Sequence, residues 1–157
     1  IWRIKAMAFY NLKIETTDGE EPIILDENTT TINSGDAEAI SSVHFKMNTL
    51  NDDTLNRSSA VRCEMVIKGQ INNATKDETL KLANIRGGEN KLYRKVTVEV
   101  FTDKERGTEL REYEVDKMFC IDYDEEFIYE DRNQEEGTFT LYIAQKEGTH
   151  TTNVFCE

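Results

Sequence analysis

Between Leu92 and Phe101 the chain alternates without a break, with Leu92, Arg94, Val96, Val98 and Val100 on one side and Tyr93, Lys95, Thr97, Glu99 and Phe101 on the other. Side chains of an extended chain point to opposite faces at every step, so this pattern sorts a β-strand into two faces; wound as a helix it would scatter its valines around the whole cylinder. A strand with one apolar face has to bury that face and pair its backbone, which commits the chain to a sheet. The same period recurs at Ala8–Thr16, where Ala8, Tyr10, Leu12 and Ile14 oppose Phe9, Asn11, Lys13 and Glu15. It recurs again at Ala60–Gln70, with Val61, Cys63, Met65 and Ile67 inward and Arg62, Glu64 and Lys68 outward. Shorter or looser runs mark further strands at Pro22–Leu25, Ala37–Met47 (through Ile40, Val43, Phe45 and Met47), Leu110–Val115, Met118–Tyr123 with Phe127–Tyr129 as its extension, and Thr138–Gln145. Turn chemistry separates them at Asp18-Gly19 and from Asp103 to Gly107, and the single proline, Pro22, stands first in its strand, where a missing N–H is tolerated.

One stretch breaks the alternation. Thr75-Lys76-Asp77-Glu78 reads as a capping box, in which the Thr75 hydroxyl accepts the Glu78 N–H and the Glu78 carboxylate reaches back to the Thr75 N–H. Leu80, Leu82, Ala83 and Ile85 follow, Leu82 and Ile85 forming an apolar stripe, and Gly87-Gly88 is the stop signal. The expected fold is mainly β: an antiparallel split β-barrel or sandwich of seven to nine strands with one short central α-helix. Asp26–Gly35 and Asn48–Ser59 read as polar loops, and Gly148–Glu157 as a polar C-terminal arm or extra strand that docks on the sheet. Met7–Glu157 is expected to form a single β-barrel domain. Ile1–Ala6 differs in character and reads as an appended remnant ahead of a natural start at Met7.

Composition narrows the functions available. The 157 residues carry 31 acids against 19 bases, a net charge of −12. Such a chain repels phosphate backbones and anionic lipid, which disfavours nucleic acid and membrane-surface partners. No run of about 18 apolar residues is present to span a bilayer as a helix. Cys63, Cys120 and Cys156 are odd in number and form no CxxC pair; two of them fall inside apolar strand runs, as reduced thiols packed as small hydrophobes do.

Residues that carry chemistry are few. His44 and His150 are the only histidines, and a zinc site or a thiol–imidazole pair would need His44 to converge with Cys63 and Cys120. No nucleophile-elbow, zincin or phosphate-loop motif occurs. Asp122-Tyr123-Asp124-Glu125-Glu126 lacks the glycine-containing spacing of a calcium loop and reads as a solvated acidic rim. The sequons at Asn28, Asn56 and Asn73 are expected by chance in a chain rich in Asn and Thr. Phe9, Tyr10, Tyr93, Phe101, Tyr113, Phe119, Tyr123, Phe139 and Tyr142 fall in strand runs with no basic groove beside them, which is packing rather than base stacking. No catalytic, cofactor-binding or metal-binding residue is assigned, and the chain is read as no enzyme.

The order of elements resembles one family. The opening strand Met7–Ile14, a long polar loop before Val61–Ile67, one central helix, the hairpin from Leu92–Phe101 to Leu110–Val115 and the closing strand Gly137–Gln145 are similar to those of the tube-forming proteins of contractile injection machines: the haemolysin-coregulated protein (Hcp) of type VI secretion and the phage tail tube proteins. The resemblance covers most of Met7–Lys146. It implies a structural subunit that joins its own copies into rings, usually hexameric, stacked into a hollow tube. It further implies sheath, baseplate or cargo proteins as partners, no cofactor, and a place in the bacterial cytoplasm at assembly and then in a secreted or phage-like particle. The competing reading is a monomeric β-sandwich binding module that recognises a peptide or carbohydrate through its polar loops. A thiol protease using Cys63 or Cys120 with His44 is the third.

Overall fold

The computed structural model describes residues 7–15, 19–29, 38–49, 61–85, 93–128, 137–146 and 152–156. In chain order these form β1 (Phe9–Glu15), β2 (Ile23–Leu25), a 3-10 turn (Glu27–Thr29), β3 (Ile40–Thr49), β4 (Val61–Ile71), α1 (Lys76–Ala83), β5 (Arg94–Phe101), β6 (Glu109–Glu126), β7 (Gly137–Gln145) and β8 (Thr152–Phe155). All pairings are antiparallel, in the order β2-β1-β5-β6-β7-β4-β3, with β8 added to β6. The expected fold class is the observed one.

β6 organises the sheet. Its 18 residues pair with β5 from Glu109 to Met118 and with β7 from Met118 to Glu126. At the changeover Lys117 takes a left-handed φ of 52°, and a bulge follows between Cys120 and Asp122. Both features turn the strand and increase its twist. Two half-sheets result, β2-β1-β5-β6 and β6-β7-β4-β3, and their apolar faces close on one core. Leu12 and Ile14, Val96 and Val98, Val115 and Met118, Phe139, Leu141 and Ile143, and Cys63, Met65 and Ile67 fill it, each almost inaccessible to solvent. Burying a side chain of this size contributes roughly 1.5–3 kcal/mol. Val115 pairs with Val96 of β5 and with Thr152 of β8, so β8 lies on the flank of β6 that β7 occupies further along.

The two ends of the sheet meet beside β1. Tyr10 and Val43 are hydrogen-bonded there, the Val43 N–H donating to the phenol oxygen, and burial raises the Tyr10 pKa against that bond. Inside the second half-sheet, Gly69 on β4 makes room for its cross-strand partner on β7: a Cβ on it would come within 2.5–2.6 Å of the Phe139 ring. The helix closes the opening by β2. Thr79, Leu82 and Ile85 turn inward, while Leu80 is exposed.

Several sequence expectations need correction. The capping box does not form. The Thr75 side chain makes no cap bond; its hydroxyl donates to Gln70 O (2.7 Å) and accepts the Asn72 N–H (3.0 Å). The Thr75 N–H is taken by Asn72 Oδ1 instead (3.1 Å), and Glu78 Oε2 accepts the N–H of Ile24 on β2 (2.9 Å). Tertiary partners outbid the local ones. Leu110–Val115 and Met118–Tyr123 are one strand, which runs on through the acidic residues to Glu126, with Asp122, Asp124, Glu125 and Glu126 exposed. Phe127 and Ile128 fall beyond its end and are exposed, because β7 stops opposite Glu126. Asn48 and Thr49 end β3, and the polar stretch after β2 contains the 3-10 turn closed by Thr29 on Asp26. Tyr93 precedes β5 rather than standing in it. The turn at Asp18, the Gly87-Gly88 stop, Tyr129, His150, residues 1–6 and most of the loop 48–59 lie outside the described residues.

Candidate functional site

The thiols and the imidazole do not converge. Cys63 points into the core, fully buried, and burial, then Glu64 nearby, pushes its pKa up to about 12. Cys120 is buried on the same side and donates its S–H to Asp122 O (3.4 Å). His44 sits opposite Val66 on the other face of the sheet. The sheet itself therefore separates the base from either nucleophile. Among the described residues no group of three or more His, Cys, Asp or Glu could hold a metal ion, and no helix is long and apolar enough to cross a membrane. Cys156 is exposed at the end of the chain, 3.5 Å from Glu109 O.

What the described residues present is a broad polar face bounded by β3 on one side and by the second half of β6 on the other. The half-sheet β6-β7-β4-β3 turns its apolar side to the core, and no described element covers the other side. Register sets the outer residues in transverse rows: Asp122, Tyr142, Val66 and His44 form one; Asp124, Thr140 and Lys68 with Ser42 form the next. Lys46, Glu64 and Ala144 lie in the row before them. β3 is the last strand in the order, 10 residues long, and beyond β4 it has no strand partner among the described residues. Only its first part is occupied, by the Ile40/Ser42 bulge and by Tyr10 at Val43. On the opposite margin β5 stops at Met118, and from Phe119 to Glu126 no described strand lies on that flank of β6. Tyr123 stacks over Phe139 and donates to Glu125 (2.9 Å); burial first, and then that bond, raises its pKa.

Two relationships here were not read from the sequence. Arg106, in the β5–β6 turn, joins the ends of the sheet, and Lys46 and His44 form an acid-free margin on β3. The first depends on a partner 68 positions away and leaves no local signal; the second is visible only once β3 is known to be an edge.

No family model and no curated protein matches the sequence. The structure does match. It superposes on the crystal structure of an Hcp protein with a TM-score of 0.52 and 11% identity, covering 96% of this chain and 98% of that one. It also superposes on a chain of the anti-feeding prophage baseplate, determined by cryo-EM with six-fold symmetrisation, with a TM-score of 0.50 and 7% identity over 99% and 98% of the two chains. The fold is that of Hcp-like tube proteins.

Proposed function

We propose that this chain is a structural subunit of a contractile injection or secretion apparatus, whose copies join side by side into closed rings, hexameric, that stack into a hollow tube. The observation that carries the reading is the match to an Hcp protein over nearly the full length of both chains. The six-fold symmetrised baseplate to which the other matching chain belongs supports a ring of six and sheath or baseplate partners. Physical support comes from the margins. A ten-residue edge strand leaves a row of backbone donors and acceptors facing outward, which invites another chain, and a closed ring gives every such edge the same neighbour. On this reading the protein assembles in the bacterial cytoplasm and acts in a secreted or phage-like particle.

Native mass spectrometry and negative-stain electron microscopy across a concentration series test it. Rings with a central hole and a mass of six copies are expected. A monomer that persists to the highest soluble concentration overturns it.

A further inference from the structure

We propose that β8 is a displaceable strap. The C-terminal strand occupies a strand-receiving edge of β6, from Glu112 to Val115, and an extended segment of a partner protein with basic residues opposite Glu112 and Glu114 takes its place there. One copy of the chain suffices for this, so it holds or fails independently of the ring reading.

β8 is seated lightly. It pairs over four residues, Thr152 with Val115, Asn153 with Glu114, Val154 with Tyr113 and Phe155 with Glu112. Its apolar side chains gain little from the contact, Val154 staying 45% and Phe155 40% exposed. With so little area removed from water, the strap depends on its ladder and on polar contacts at its ends, among them Thr152 Oγ1 to Gln145 Oε1 (3.1 Å) and Cys156 Sγ to Glu109 O (3.5 Å). Elements with few buried apolar contacts open locally at a fraction of the global unfolding free energy. The edge beneath is anchored by contrast. Its other flank pairs with β5, Val115 is fully buried, and Tyr113 stacks on Phe45 of β3 with ring centres 4.3 Å apart. Gln145, buried at the end of β7, donates through Nε2 to Asp116 O and Oδ1 (3.2 Å each) and fixes the chain beside the edge without help from β8. When the strap lifts, the edge keeps its shape while the backbone groups that β8 satisfied face outward, which is the geometry that captures an extended peptide.

Register decides the chemistry of the incoming segment. Asn11, Glu99, Glu112 and Phe155 form one row across β1, β5, β6 and β8, and Lys13, Thr97, Glu114 and Asn153 form the next. Glu99 and Glu112 stand directly opposite each other, a placement that repels, and the strap answers them with a phenyl ring. In the second row Glu114 is met by Lys95 from β5 (2.8 Å) and by a neutral amide from the strap. β8 itself holds no base. A segment with lysine or arginine at those two places and a β-branched residue opposite Tyr113 forms the same ladder and adds opposite-charge pairs that β8 lacks. The net charge of −12 steers such a segment toward the chain. Exposed ion pairs contribute little affinity each, so their part is to choose the segment while the backbone ladder holds it.

Peptide titration of the full chain tests this. The probe is a capped hexapeptide with the sequence of residues 150–155 carrying Asn153→Lys and Phe155→Lys; its counterpart carries Asn153→Glu and Phe155→Glu. The lysine peptide is expected to bind about tenfold or more tighter than the glutamate peptide, with an affinity that falls as salt rises. At saturation, hydrogen exchange is expected to quicken at the amides of β8 and not at those of residues 112–115. Val154→Pro, at an exposed position, removes an N–H from the strap and should raise the affinity for the lysine peptide about tenfold. Glu112→Lys should reverse the preference between the peptides. Circular dichroism verifies that both variants fold; should the reversal unfold the chain, Glu112→Gln replaces it, with most of the preference expected to vanish. No binding to the Val154→Pro chain at millimolar peptide overturns the inference. Equal affinity for the two peptides overturns it, and so does binding that leaves β8 protected and is indifferent to Val154→Pro. None of these results bears on ring formation, which is read from the mass of the assembled wild type.

Discussion

Arg106 and Glu38 face each other through two bonds, Nη2 to Oε2 at 2.8 Å and Nη1 to Oε1 at 3.3 Å, with side chains only 6% and 15% exposed. The same guanidinium reaches Tyr10 O and Asn11 Oδ1 on β1 and Lys104 O in its own turn, and lies 5.6 Å from the centre of the Phe9 ring. Arg106 adopts a left-handed φ of 58°, a conformation that costs roughly 1–2 kcal/mol and persists because these partners hold it. It is the point at which the first half-sheet is tied to the chain entering β3.

Removing Arg106 takes the forked, charge-assisted bonds away from the half-buried Glu38 carboxylate and from the Tyr10 carbonyl. Arg106→Ala is expected to lower unfolding free energy by about 3–5 kcal/mol. Arg106→Lys should lose much of the same, since an ammonium cannot fork onto a carboxylate and still reach β1. Glu38→Gln, which keeps an acceptor, should cost less than either alanine or lysine at 106. Urea unfolding of the variants ranks them; equal stability of wild type and Arg106→Ala would show that the seam does not depend on this residue.

The environment of Thr75 gives a second expectation. Thr75→Val removes the hydroxyl from a fully buried position and leaves the Gln70 carbonyl and the Asn72 N–H without that partner, at a cost of about 1–3 kcal/mol. Thr75→Ser restores most of it. Glu78→Ala acts elsewhere: the amide of Ile24, which donates to Glu78 Oε2, should exchange with solvent faster while the first turn of α1 keeps its protection. Hydrogen exchange separates the two effects, and faster exchange at Thr75 rather than Ile24 would favour a local capping box.

Cys63 makes stability depend on alkaline pH. Its pKa is raised from 9.0 to about 12, so the fold prefers the neutral thiol. Below the ordinary value both folded and unfolded chains hold the proton and the stabilisation is complete; as pH climbs from 9.0 toward about 12 the unfolded chain releases it first, and stability falls. Tyr10 and Tyr123, raised in the same direction, add to the decline. Cys63→Ala is expected to flatten the slope of unfolding free energy against pH in that window by one proton's share. In the native protein at pH 8, a thiol reagent should modify Cys156, which is exposed, and spare Cys63.

Much of the sheet was legible beforehand because alternation is a local property. β1, β4, β5 and β7 fall where period-2 runs predicted; Cys63, Met65 and Ile67 of β4 point inward as expected, while Phe9 on β1 and Phe101 on β5, placed on the face opposite the aliphatic residues, are buried as well. β3 is instructive: Ile40 and Val43 are out of phase for a regular strand, yet Ile40 is buried and Val43 packs against the core, because the bulge between Ile40 and Ser42 resets the alternation. The slip was present in the residues, but its meaning required knowing which face was buried. Arg94 was placed correctly with the valines of its strand and is buried with them, its Nη2 3.4 Å from the carbonyl of Ile85 at the end of the helix. Phe127 and Ile128 looked like more of β6 because nothing in their own identity says where β7 ends.

The sequence by itself determined the class of fold, the places of most of the strands, the helix after Thr75 and the absence of a familiar catalytic motif. All of these follow from residue spacing and need no distant partner. Only the tertiary structure decided which strands became margins, that β6 runs through both half-sheets, that His44 lies across the sheet from Cys63 and Cys120, and that Glu78 and Arg106 serve β2 and Glu38 rather than their neighbours. A hydrogen bond or an ion pair goes to whichever partner the closed chain brings within reach, and no period along the chain records that choice.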